Sequence, residues 1–358
     1  MEVPRERDQI LDAWRGISIL LVILHHAVYF RFSEIFRGFL NESAEGAMHI
    51  LWYLDYALVE FSERSGPLGV KIFFVISGYI ITKLLIEEES RKNTIDIVAF
   101  YFRRIIRIVP ALAFYAVCVM LFSFLGWVAV DTKGFFAALG FVCNTSITCG
   151  QTFIHTWTLS VEEQFYIVWP FLFLVVPKVW RTAFLAASFT LFFALSASGL
   201  FIAHGWINNP LNYACIAMGA LYATSPRWKA FISRWGILSS GALIVSVIGL
   251  YQVAVLEEVG RQVYWFATPF VILVIIMNSY AIARFSPRLM TTSLATLGLF
   301  SYSLYLWQEL FLMETQLYLR SSPLEWPILL IPIAAASYYF VERPIIVWGR
   351  LKIKAMRP

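Results

Sequence analysis

Charge is scarce in this chain. Lys, Arg, Asp and Glu make up 14% of 358 residues, against about 25% in an ordinary soluble domain. Together with a mean hydropathy of +0.70, that excludes a water-soluble globular protein and indicates an integral membrane one. The 4 cysteines contain no CxxC pair and the 5 histidines are scattered, so no metal-site spacing is present. There is no Pro/Gly/Ser-rich linker, low-complexity tract or internal repeat, so residues 1–358 read as a single membrane domain. The first apolar run is long enough to span and lacks a small-residue cleavage site, so it is expected to remain as a helix.

Aromatic and apolar residues fill the space left by charge. Thirty-one Phe, 17 Tyr and 13 Trp suit a helical bundle with aromatic belts at both interfaces. Span-length apolar runs lie near 16–34, 66–86, 108–129, 157–177, 182–203, 208–224, 236–256, 262–282, 292–315 and 326–345. The expected architecture is all-α: a polytopic bundle of about ten transmembrane helices with both termini cytoplasmic, in the inner (plasma) membrane. With that orientation roughly three-quarters of the Lys and Arg residues face inward, as the positive-inside rule requires. The net charge of +5 then reflects loops beside anionic lipid and needs no nucleic-acid partner. Residues 35–65 are expected to form an outer loop, and 83–107 the longest inner one. Cys118 and Cys215 fall inside apolar helices as packing residues. Cys143 and Cys149 fall in an outer loop, where a disulfide and two free thiols are both open. His49 and His204 also fall in outer loops, as solvated residues.

Ionisable groups inside the apolar runs mark function by default. Arg15 and His26 stand eleven residues apart, about 20° past three full turns, so they share a helix face with an axial separation of about 16 Å. His25 is rotated by 100° and is expected to pack against a neighbour. This arrangement suits a charged group held at one membrane surface and a proton moved deeper in.

Further along, Phe100–Arg107 reads as an amphipathic helix on the inner surface. Arg104 and Arg107, at i and i+3 beside Arg103, can grip one anion or simply anchor the topology. Ser77 and Gly78 form a small pair that allows close helix approach or leaves room for a ligand chain. Ser160 and Glu163 match a capping box at the start of the fourth helix. Glu162 and Glu163 equally suit acceptance of hydrogen bonds from sugar hydroxyls. Ser301–Gln308 presents a polar face expected to turn inward. Pro344 stops the last helix, and Glu342 can pair with a nearby cation.

Together these segments resemble the acyltransferase 3 family of bacterial membrane O-acyltransferases, from Leu11 to Pro344. Arg15 and His26 match the family's basic-x10-His motif. Phe73, Phe74, Ser77 and Gly78 match FFxxSG, and Arg104 and Arg107 match RxxR. His155, Trp157, Leu159, Glu162, Gln164, Phe165 and Tyr166 match its HxWSLxxExQFY pattern. Ser301 to Trp307 match SYSLYLW, and Glu342 to Pro344 the terminal ERP. The chain departs at Lys71, where the family often has an acid, at Gln308, where it often has His, and at Thr158, where it has Ser. Some members carry an added SGNH esterase-like domain, which this chain is expected to lack.

The resemblance implies an O-acetyltransferase with cytoplasmic acetyl-CoA as donor co-substrate, no metal, and a lipid-linked, cell-surface or exported glycan as acceptor. His26 would act as general base or carry the acyl group, Arg15 would hold a phosphate or pantetheine carbonyl, and Glu162 or Glu163 would orient the acceptor or the imidazole. Arg103, Arg104 and Arg107, with Ser77 and Gly78, would bind the donor. His155, Trp157, Tyr166, Tyr305, Trp307 and Gln308 would line the acceptor site. Acylation of a small molecule such as an antibiotic, a multi-pass transporter, and a non-catalytic scaffold remain as alternatives.

Overall fold

The computed structural model describes residues 8–27, 48–145, 149–198, 209–234, 258–282, 287–312 and 327–355. Helices α1 (Gln9–Ala27), α2 (Met48–Lys92), α3 (Ile97–Phe124) and α4 (Thr132–Leu139) are followed by the single turn Gly150–Phe153 and the 3₁₀ turn Ile154–Thr156. Then come α5 (Trp157–Val175), α6 (Arg181–Ala197), α7 (Leu211–Thr224), α8 (Pro226–Ser233), α9 (Glu258–Ile282) and α10 (Arg288–Leu312). The chain closes with α11 (Leu330–Ser337), one π turn (Tyr338–Glu342) and α12 (Arg343–Ala355). No β-strand occurs among the described residues. Six of the described helical segments are long and apolar enough to cross a membrane: Gln9–Ala27, Ser65–Lys92, Ile97–Phe124, Lys178–Ala197, Arg288–Leu312 and Leu330–Ile353. The expected span at 236–256 lies outside the described residues, as does His204.

Local chemistry sets several helix starts. The Asp8 carboxylate accepts the Leu11 N–H at 3.2 Å, satisfying one of the amide donors that every helix N-terminus leaves open. Asp131 does the same for Lys133 at 3.0 Å. Ser225 caps Trp228 at 3.2 Å, with Pro226 in the first turn, where its missing N–H costs nothing.

The helices group into two compact units. The first comprises 1–15, 71–97 and 161–296. Here α2 and α7 touch backbone to backbone: a Cβ on Gly78 would stand 1.9 Å from the Ile216 carbonyl oxygen, and one on Gly219 would stand 2.0 Å from that of Val75. Small residues permit this approach. Gly78→Ala should therefore force α2 and α7 apart and destabilise the protein by roughly 1–3 kcal/mol, read as a lower Tm of the detergent-solubilised protein. In the same unit Trp169 donates to Thr82 at 2.9 Å, and Arg181 forks onto Glu89 at 2.7 and 3.1 Å. Trp14 donates to Ser279 at 2.8 Å and Tyr280 to Asp8 at 2.6 Å, tying the start of α1 to α9.

The second unit comprises 16–70, 98–160 and 297–358. Its α1 and α2 are joined by Ser65, which donates to the Leu21 carbonyl at 2.9 Å. Tyr302 donates to the Ile108 carbonyl at 2.9 Å, joining α10 to α3. Ser303 on α10 donates to Glu342. Cys143 and Cys149 are joined in a disulfide, with Cα atoms 5.5 Å apart.

Four expectations need correction. Pro344 does not stop the last helix: helical turns run on from Leu330 through Pro344 to Ala355. Residues 48–65 are not loop: α2 runs unbroken for 45 residues with Pro67 inside it, so His49 stands on a helix, while 35–47 lie outside the described residues. Phe100–Arg107 is not a separate surface helix but the opening of α3, which continues through Pro110. Ser160 does not cap a helix. Helix α5 begins at Trp157, and the Ser160 hydroxyl donates back to the Thr156 carbonyl at 3.1 Å while accepting the Cys143 N–H at 3.1 Å.

Candidate active site

A single helix, α1, carries both Arg15 and His26. Arg15 stands 3.5 Å from Asp12, one turn back. The His26 Nδ1 lies 2.9 Å from the Val22 carbonyl. A carbonyl can only accept, so Nδ1 carries the proton and Nε2 presents its lone pair. That is the tautomer a general base requires. His25 plays a different part: its Nδ1 donates to the Ser62 carbonyl at 2.8 Å, and its ring packs where a Gly66 side chain would otherwise be. It fastens α1 to α2.

Within the second unit, His26 lies in electrostatic reach of Glu309 and His155. These two form an ion pair between the His155 Nδ1 and the Glu309 carboxylate. Glu309 also accepts the His155 backbone N–H at 3.2 Å. His155 and Glu309 are 4% and 3% exposed, so the pair is buried and the carboxylate fixes the orientation of the ring. The His155 Nε2 has no hydrogen-bond partner among the described residues. The surrounding wall is aromatic, with the Tyr115, Tyr305 and Trp307 rings packed around this point: Tyr115 lies 5.6 Å from His155 and 5.4 Å from Trp307, and Tyr305 lies 5.6 Å from His155. Thr158 donates to the Tyr305 hydroxyl at 2.7 Å, which donates in turn to the His155 carbonyl at 2.7 Å. The threonine standing in place of serine thus keeps the hydroxyl in use. Trp157 is buried in the same unit.

Two imidazoles and one carboxylate are therefore gathered in otherwise apolar helices. Such a group can accept a proton from a hydroxyl and return it to a leaving group. Glu309 is the member that motif spacing missed. Its signal was available, because an acid inside an apolar run is costly unless it serves a purpose.

The remaining expected site residues divide between the two units. In the second unit, α3 carries Arg103, Arg104 and Arg107, with the Arg104 guanidinium 5.9 Å from the Phe100 ring. The charge of Arg107 reaches Glu342, which ends the π turn and accepts from Ser303. Isolated π turns are common at functional positions. In the first unit Ser77 donates to Glu162 at 2.8 Å, and the Tyr166 hydroxyl donates to the same carboxylate at 3.2 Å. Glu163 sits beside them on α5. Tyr213 donates to Gln164 at 2.5 Å. Gly78 is taken up by the α7 backbone. Lys71, where an acid is common in the family pattern, is buried in that unit. Among the described residues no group of three or more His, Cys, Asp or Glu is arranged to hold a metal ion.

Comparison with known proteins follows the same lines. The acyltransferase 3 family model, described as an acyltransferase domain, matches residues 8–342. The O-acetyltransferase OatA of Staphylococcus aureus is 27% identical over 321 residues, covering 78% of this chain and 52% of the relative. The peptidoglycan O-acetyltransferase OatA of Listeria monocytogenes is 30% identical over 146 residues, 37% of this chain and 24% of its own. A putative peptidoglycan O-acetyltransferase of Bacillus subtilis is 32% identical over 149 residues, 36% of this chain and 23% of the relative. The chain spans about half the length of the Staphylococcus aureus relative. No solved structure matches it.

Proposed function

The chain belongs to the acyltransferase 3 family, and we propose that it is a membrane O-acetyltransferase that moves an acetyl group from cytoplasmic acetyl-CoA to a sugar hydroxyl of an envelope glycan. The observation that carries this reading is the buried His155–Glu309 pair within electrostatic reach of the half-buried His26 in apolar helices. The Staphylococcus and Listeria relatives support acetyl transfer, and the latter a peptidoglycan-type acceptor. Two ends of the site serve two substrates.

The donor enters from the cytoplasm of a chain set in the inner membrane with both termini inside. Its phosphates meet Arg103, Arg104 and Arg107, which suit polyanion recognition. Its thin pantetheine arm then runs into the bundle, where Arg15 holds a phosphate or a carbonyl. The 16 Å or so between Arg15 and His26 along α1 is within reach of an extended arm. His26 Nε2 takes the acceptor hydroxyl proton, the freed oxygen attacks the thioester carbonyl, and the C–S bond breaks. The departing CoA thiolate takes a proton from the imidazolium, which returns His26 to its starting state. His155, held by Glu309, supplies a second imidazole that orients the acceptor or relays the proton. Within the second unit, Trp157, Tyr305 and Trp307 contact the acceptor; within the first, Ser77, Glu162, Glu163 and Tyr166 offer polar contacts to a substrate.

The test is turnover by purified protein in lipid nanodiscs, with radiolabelled acetyl-CoA and glycan fragments. Label on the glycan, matched by released thiol, is the expected result. Absence of both, or transport of the glycan without thiol release, refutes the reading. Arg104→Ala and Arg107→Ala should each raise the KM for acetyl-CoA by about tenfold, the scale of one charge-assisted contact, with the acceptor KM unchanged. Equal CoA affinity in both variants and wild type, measured by calorimetry, would make these arginines topology anchors.

A further inference from the structure

Three polar side-chain groups on neighbouring helices are buried without a hydrogen-bond partner among the described residues. They are both amide atoms of Gln308, the Trp307 indole N–H and the Ser337 hydroxyl. Gln308 and Trp307 are 0% and 2% exposed, and Ser337 is 3% exposed. Native proteins pair nearly all such groups, and each exception calls for a physical reason. The cost is highest for a carboxamide, which leaves a donor and an acceptor unmet at once.

Their place in the chain supplies the reason. Gln308 lies between Trp307, whose ring packs on Tyr115 beside His155, and Glu309, which pairs with His155. Successive helix residues diverge by 100°, so Gln308 points between these two directions, next to the proposed reaction centre. Ser337 ends α11, and five residues later Glu342 is hydrogen-bonded to α10 through Ser303. Unmet donors and acceptors thus collect along α10 beside the only histidine–carboxylate ion pair among the described residues.

From this we infer that Gln308, with the Trp307 N–H, is a receptor for a secondary amide of a substrate. A secondary amide offers a carbonyl on one edge and an N–H on the other. The Gln308 NH₂ donates to the first, or its oxygen accepts from the second, and the indole N–H, a donor only, completes the carbonyl. The neighbouring aromatic wall accepts the apolar atoms that flank an amide. Two sources present this chemistry: the pantetheine arm of the donor, and the acetamido group of an N-acetylated sugar acceptor. The inference rests on the acyl-transfer reading, and its test separates the two.

Wild type, Gln308→Met and Gln308→Asn are assayed with two pairs of substrates. The donor pair is S-acetyl-N-acetylcysteamine and its ester analogue, in which oxygen replaces the amide N–H. The acceptor pair is a chitooligosaccharide and a cello-oligosaccharide of equal length, with hydroxyl in place of acetamido. A site built to hydrogen-bond one group rejects the analogue that lacks it. Wild type should therefore favour the amide-bearing member of one pair by at least about tenfold in kcat/KM. Gln308→Met should abolish that preference, and the other pair should keep its ratio. The pair that loses its preference identifies the source of the amide. Equal treatment of both pairs by wild type overturns the inference whatever the variants do, as does an equal fall for all four substrates in Gln308→Met. In the latter case the carboxamide serves only packing or ordered water. No thioester consumption with any substrate refutes the acyl-transfer reading itself, whereas turnover without amide preference refutes this inference alone.

Discussion

Alanine at position 26 should reduce acetyl transfer by about 10²–10⁴-fold, the usual loss on removing a general base, while the protein still inserts and folds. The imidazole is held by its bond to the Val22 carbonyl with Nε2 as the acceptor, so its removal takes away the base. His25→Ala makes the opposite cut. It deletes the bond to the Ser62 carbonyl and leaves a void against Gly66, so its effect should appear chiefly in Tm, with a much smaller change in rate. Initial rates of thiol release and thermal melts of both variants distinguish the roles. Loss of transfer confined to His25→Ala, with His26→Ala near wild type, would reassign the base.

Glu309 should prove nearly as sensitive. Glu309→Ala leaves His155 buried beside an empty space, and breaking a buried pair by removing one partner costs about 3–5 kcal/mol. A large fall in Tm, or failure to accumulate in the membrane, is expected. Glu309→Gln is the informative variant, since it keeps the volume and can still accept the His155 backbone N–H. It removes the negative charge that fixes the imidazole and reaches His26. We expect at least a tenfold fall in kcat with little change in KM, as for an interaction used in the transition state. A Glu309→Gln variant with wild-type kcat and a wild-type pH profile would reduce the pair to a structural role.

Most of the helical framework was legible because apolar runs of this length have few other uses. What could not be read this way were the places where helices continue through polar or proline-bearing sequence. Asp55, Glu60, Glu63 and Arg64 lower the hydropathy of 48–65, yet α2 includes them. Polarity marks where a helix leaves lipid and not where it ends. The separation expected between Phe100–Arg107 and the apolar run near 108–129 is also absent, and α3 carries Pro110 internally. In the candidate site, motif spacing drew attention to Arg15, His26 and His155. It passed over Glu309, whose partner is 154 residues away in sequence. Periodicity cannot reveal such a pairing. Local chemistry also misled at Ser160, where the residue pattern of a cap is used to hold the Cys143 backbone.

The bridge between Cys143 and Cys149 bears on how the protein is made. A disulfide needs an oxidant, and the cytosol keeps thiols reduced. On the proposed topology, with this loop outside, the bridge closes only once the loop has left the reducing cytosol. Cys149 leads directly into the turns that present His155, and the Thr156 hydroxyl donates to the Cys143 sulfur at 3.2 Å. On that topology the setting of the His155 segment depends on oxidation outside the cytosol.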